Sequence, residues 1–286
     1  MKGARAHAGS VHASGDHPMT IRALLLASLL PALAQAQEAP PAAPPAAPAA
    51  KPVEWKGTVG AGLIITNGNS ESTTVNGGVA ASRETFGWIS SLKADATYGK
   101  SRPATGGPQA VSAYKGGGLL RLDRKFGETW TVYAMAGGTF DHVASIEYRS
   151  AYELGVSAQW IEEKVADWTR LALRTDLGFQ YGHESRWDYY GPAPGALPGV
   201  EVVAPRLGLA FRWGFSKDSF FTEEAEYLPT LTSGGRWLGK TVSKISSRLV
   251  GAVAIGASYT LTYDSDPVPG KKSTDSTLTA MVEVGF

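Results

Sequence analysis

Thr274-Asp275-Ser276-Thr277-Leu278-Thr279-Ala280-Met281-Val282-Glu283-Val284-Gly285-Phe286 is the stretch whose reading decides the fold. Thr274, Ser276, Leu278, Ala280, Val282, Val284 and Phe286 share one side of an extended strand. Asp275, Thr277, Thr279, Met281, Glu283 and Gly285 share the other. Successive strand side chains point to opposite faces, so this is an apolar wall backed by a polar one.

Working outward, the same period of two recurs from Val53 onward, punctuated by Gly, Pro, Asn and Asp. Strands are expected over 53–66, 72–84, 88–99, 110–122, 129–141, 148–160, 168–182, 201–214, 219–230, 240–249, 253–264 and 274–286. That is twelve, an even number, as an antiparallel barrel with both termini on one side requires. Leu171, Leu173, Thr175, Leu177, Phe179 and Tyr181, for example, oppose Arg170, Ala172, Arg174, Asp176, Gly178 and Gln180. Segment 219–230 is the weak one. Either phase leaves Glu223, or Glu224 and Glu226, on the wrong side, which a bulge would relieve.

Connections alternate between short ones, such as 85–87 and 250–252, and longer ones, such as 99–109, 183–200, 231–239 and 265–273. Trp55, Trp88, Trp130, Trp160, Trp168, Trp213 and Phe286 gather at the short-turn ends, and Tyr98, Phe140, Tyr148, Tyr181 and Tyr263 near the other ends. Trp187 and Trp237 fall in expected loops. Amphipathic rings favour the headgroup layers, so two girdles mark two interfaces. The expected fold is an all-β, antiparallel transmembrane β-barrel of about twelve strands, with short periplasmic turns and longer outer loops. A soluble sandwich or lipocalin-like barrel would hide its apolar face inside; the banded Trp, the aromatic-ended last strand and the leader point away from it.

Met19-Thr20-Ile21-Arg22, the apolar run 23–33 and Ala34-Gln35-Ala36 read as a secretory leader cleaved after residue 36. Met19 reads as the initiator, which would leave 1–18 untranslated; the alternative is an extended n-region, with 1–36 as the whole signal peptide. Residues 37–52 form an Ala/Pro-rich periplasmic linker and 53–286 the barrel. No apolar run long enough for a helical span follows the leader, and a mean hydropathy of −0.12 suits a barrel that hides apolar residues at alternate positions. The chain's net charge of +1 becomes −1 once Lys2, Arg5, Arg22 and Asp16 leave, so no basic field remains to attract nucleic acid. Absence of Cys suits passage through an oxidising periplasm.

Trp55-x-Gly57, Gly62, Thr66-x-Gly68-Asn69 and Asn76 open the barrel. Tyr263-x-Ser265-Asp266-Pro267-x-Pro269-Gly270-Lys271-Lys272-x-Thr274-Asp275 leads into its last strand. On these stretches, over roughly 53–286, the chain resembles the salt-induced outer-membrane protein family, also called the domain of unknown function 481 family. Val268 departs from the family's Pro-rich loop. The resemblance implies a Gram-negative outer-membrane barrel linked by name to salt or osmotic stress, and it carries over no catalytic residue and no substrate.

Lys93, Asp95, Lys115, Arg121, Arg149, Glu153, Arg170, Arg174, Asp176, Arg206, Arg212, Glu224, Glu226, Asp264 and Glu283 project inward in this phase. They could line a solute pathway or pair into a network that plugs the lumen. Gly68-Asn69 reads as a tight turn. Asp264, Asp266 and Asp275 lack cation-loop spacing, so self-paired loop charges are the plainer reading against a divalent cation or contacts from Lys271 and Lys272 to lipopolysaccharide. His142 with Ser145 and Asp141, and His183-Glu184, lack the elbow or the second His of known hydrolase motifs. The expectation is therefore no enzyme, no cofactor and no metal. The partners expected are outer-membrane lipid, lipopolysaccharide and the barrel-assembly machinery, which would read Phe286 as its signal. The functional expectation is a passive small-solute pore or an envelope-stress component. An outer-membrane hydrolase and a plugged structural barrel are the alternatives.

Overall fold

The computed structural model describes residues 54–66, 71–102, 107–191, 194–232 and 234–286; the leader, the linker and the Gly68-Asn69 turn lie outside them. The alternating segments form twelve strands: β1 (Lys56–Thr66), β2 (Glu71–Thr85), β3 (Trp88–Arg102), β4 (Ala110–Phe126), β5 (Trp130–Asp141), β6 (Ile146–Val165), β7 (Trp168–Asp188), β8 (Gly195–Gly214), β9 (Ser219–Pro229), β10 (Trp237–Val250), β11 (Val253–Asp264) and β12 (Thr274–Gly285). Each pairs antiparallel with its sequence neighbours, and β1 closes on β12, so the sheet is one closed barrel without a free edge. The seam is short, running from Thr58↔Gly285 to Ala61↔Val282 and extended by reciprocal backbone hydrogen bonds of 3.0 Å between Gly57 and Phe286.

The connections at one end are tight. Phe86 and Gly87, with φ of 47° and 78°, make a two-residue turn whose positive angles match strand twist. This is the turn end; the opposite, loop end carries the longer connections.

Large apolar residues cover the exterior: Leu154, Val156, Leu177, Phe179, Leu207, Leu278 and Val282 are all exposed. Trp55, Trp88, Trp130, Trp160, Trp213 and Phe286 ring the turn end in exposed positions. This is the surface of a barrel that meets lipid and not water.

Three expectations need correction. The 183–200 loop is largely strand, because β7 and β8 go on pairing through His183↔Glu201 to Asp188↔Gly195, with one register shift. Trp187 and Trp237 accordingly lie on strands, and Trp237 stacks on Tyr263 at 4.2 Å. Finally, β9 has no bulge against either neighbour. Glu223 therefore stays on the outer face, opposite Phe211 and Ser243, and the Ser243 hydroxyl donates to it at 2.5 Å. Regular pairing on both sides outweighs one misplaced carboxyl, which a neighbouring hydroxyl partly satisfies.

Candidate functional site in the barrel lumen

Side chains from strands that are not neighbours can meet only inside a closed barrel, so such contacts map the lumen directly. Arg121 of β4 reaches Asp176 of β7 at 2.7 Å and also holds Asp123 at 2.9 Å and the Ser157 hydroxyl at 2.7 Å. Asp176 is further approached by Arg174 at 3.1 Å and Arg206 at 3.8 Å. Arg206 in turn reaches Glu153 at 3.3 Å and Glu226 at 3.1 Å. Tyr133 completes this wall, its hydroxyl donating to Glu153 and its ring lying 3.8 Å under the Arg121 guanidinium. A Cβ at Gly155 or Gly178 would collide with the Tyr133 hydroxyl, so these two paired glycines make its room. Tyr133 was not singled out from the sequence; facing inward glycines on adjacent strands were the available signal.

A second cluster sits toward the loop end. Glu184 is fully buried and is held by Arg149 and Arg186, each at 2.5 Å, and by Arg236 at 3.3 Å. Arg236 comes from the β9–β10 connection and also pairs with Asp264. Burial works against its charge, but the bonds to Asp264 and Glu184 outweigh that and hold the guanidinium more firmly protonated than usual. The 265–273 connection bears on the same region: Val268 is buried, Lys271 lies 3.8 Å from Asp188, and the Asp266 amide donates to Asp264 at 3.0 Å. Asp264 is thus engaged by Arg236, and the described residues contain no cluster of metal-ligating side chains.

The remaining inward residues are thinly paired. Lys115 donates to Thr277 at 3.1 Å, and Lys244 pairs with Glu283, which also accepts from Ser246 at 3.1 Å. Arg170 is not deep in the lumen; it lies exposed at the turn-end rim, 3.5 Å from Glu163, where a register shift in β6 ends the alternation. Arg212 has no carboxylate within ion-pair distance among the described residues and rests on the Phe220 ring at 3.8 Å.

One contact reports the cross-section. Lys93 of β3 and Glu224 of β9 meet at 2.7 Å, and in a ring of twelve these strands are diametrically opposite. Twelve tilted strands with ordinary spacing enclose a round barrel about 24 Å across. A Lys and a Glu reaching toward each other span about 14 Å between their backbones. The barrel is therefore oval at this level, with a bar across its short axis. Both side chains are about half exposed, at 52% and 54%, so water flanks the bar. The β4–β9 side carries the Arg121–Arg206 network. The opposite side, from β10 round to β2, presents small residues such as Thr58, Gly60, Gly78, Ala80, Ser258 and Thr279 beside the Lys244–Glu283 pair.

These features define a closed, membrane-type barrel of twelve strands with an ion-paired, divided lumen. The family described as "Protein of unknown function, DUF481" matches residues 59–286, and the chain belongs to it. Trp55 and Gly57 stand just ahead of the matched stretch. Among solved structures, the beta domain of the Bordetella autotransporter BrkA is 12% identical, with 81% of this chain and 97% of that one covered and a TM-score of 0.39. The NanC porin is 11% identical, with 81% and 98% covered and a TM-score of 0.41. The translocator domain of the autotransporter NalP from Neisseria meningitidis is 13% identical, with 82% and 87% covered and a TM-score of 0.36. No curated protein sequence matches the chain.

Proposed function

We propose that this chain is an outer-membrane barrel that passes small solutes through a narrow lumen, acting as a passage and not as an enzyme. The apolar exterior and aromatic rings support the membrane setting, with the turn end periplasmic. The observation that carries the passage is the half-exposed Lys93–Glu224 bar, which narrows the lumen without filling it. A half-exposed pair contributes at most about 1 kcal/mol to stability, so its worth lies in the cross-section it sets. Against a hydrolase, Ser145 donates to Asp188 at 3.3 Å and not to His142, whose ring is stacked on Tyr189 at 4.0 Å.

Planar-bilayer recording of the refolded protein is the test. Wild type should show a small conductance, Lys93→Ala and Glu224→Ala a several-fold larger one, and the charge swap Lys93→Glu with Glu224→Lys a return toward wild type. A large, porin-like conductance unchanged by these substitutions would refute the bar. A second reading, a plugged structural barrel, is favoured by the Glu184–Arg236–Asp264 cluster at the loop end. It predicts silence in wild type and in both single variants.

A further inference from the structure

We infer that the periplasmic half of the lumen holds a binding site for a small carboxylate, built around Arg212. The site rests on the reading above only in that solutes must reach the lumen from the turn end; it does not require them to cross.

Arg212 and Thr222 form one inward row on β8 and β9, and Gln159, Arg174 and Glu224 belong to the row above. Together they line a cavity of about 190 Å³, room for a few non-hydrogen atoms. The other charges around it are engaged. Glu224 holds Lys93 at 2.7 Å, Arg174 lies 3.1 Å from Asp176, and Glu162, on the lower row, is held by Lys164 at 2.6 Å. Arg212 alone among the lumenal arginines lacks a carboxylate partner among the described residues. Its Nε is buried with nothing to donate to.

A guanidinium taken from water without an anionic partner is costly, and an unpaired buried donor adds to that cost. The cost is met if an anion arrives. The Phe220 ring packs against the Arg212 guanidinium, its centroid 3.8 Å from Cζ, and supports it from one side. A guanidinium can match a carboxylate through two parallel hydrogen bonds. The single uncompensated positive charge, in a cavity this small, selects a compact monoanion and rejects a bulky one.

Trifluoroacetate is a suitable probe, read by ¹⁹F line broadening on the refolded protein in neutral detergent. Wild type should broaden the signal saturably, and unlabelled acetate should compete. Arg212→Gln should weaken binding at least tenfold, while Lys115→Gln, a lumenal cation toward the loop end, should leave it unchanged. Heat-shifted electrophoretic mobility checks that each variant has folded. Should Arg212→Gln fail to fold, Phe220→Leu tests the same point by removing the shelf, and it should weaken binding severalfold. Non-saturable broadening, or equal binding by wild type and the folded Arg212 or Phe220 variant, would overturn the site. Saturable binding with a silent bilayer would leave the site standing and remove only the passage.

Discussion

At Gly57 a single methyl group would lie 2.5 Å from the Ala80 carbonyl oxygen and 2.7 Å from the Phe286 ring. Glycine here lets β1 lie close under Phe286, where their backbones exchange two hydrogen bonds and lengthen a seam of only four paired positions. Gly62 is similar, since a Cβ would meet the Ala280 carbonyl at 2.2 Å. The opening motif and the last strand, far apart in the sequence, thus meet at the same joint. Gly57→Ala should destabilise the barrel by about 1–3 kcal/mol, because backbone cannot move aside. Gly77→Ala, whose nearest new neighbour would be 3.7 Å away, should be close to neutral. Urea unfolding in lipid or detergent compares the two, and equal midpoints would refute the close approach. These glycines were visible in the sequence as a pattern. Their cause was not, because the approach of Gly57 to Phe286 and of Gly62 to Ala280 exists only once the ring has closed.

At the scale of the element, alternation located all twelve strands because its period is local and needs no tertiary contact. It stopped short on β6, β7 and β8, which run to 20, 21 and 20 residues. Their extensions are rich in charge and Gly, a composition that reads as loop, and they are held as strand by pairing with each other and by the Glu184 cluster. With β7 and β8 extended, the tip of their connection should stand clear of the membrane. A cysteine at Tyr190 should react with an impermeant maleimide on intact cells, and one at Gly251 only after permeabilisation. The reverse pattern would invert the topology. Glu223 shows the opposite failure: its local pattern is poor, yet regular ladders on both sides keep its strand in register.

Across the whole molecule, the lumenal charges divide into two kinds with different energetics. Arg121, Asp123 and Asp176 have side chains no more than 10% exposed, so removing the cation leaves two buried carboxylates facing each other. Arg121→Met should therefore cost about 3–5 kcal/mol. Lys93→Ala, which breaks a half-exposed pair, should cost no more than about 1 kcal/mol. Denaturant midpoints measured side by side would decide, and equal losses would mean that the two pairs are buried alike. The division has a functional corollary. The buried network carries the stability while the exposed bar is free to be altered, so the proposed passage and stability can be separated by mutation.

The sequence by itself determined the all-β class, the number of strands, their phase and the placing of aromatic residues at both ends. Those follow from a period of two and from connections between consecutive strands, which are local quantities. Only the tertiary structure decided which inward charges meet. Lys93 and Glu224 are 131 residues apart, and their meeting depends on ring closure and on an oval section that no local pattern encodes. The same closure leaves Arg212 without a partner, since a residue is unpaired only with respect to every strand that faces it.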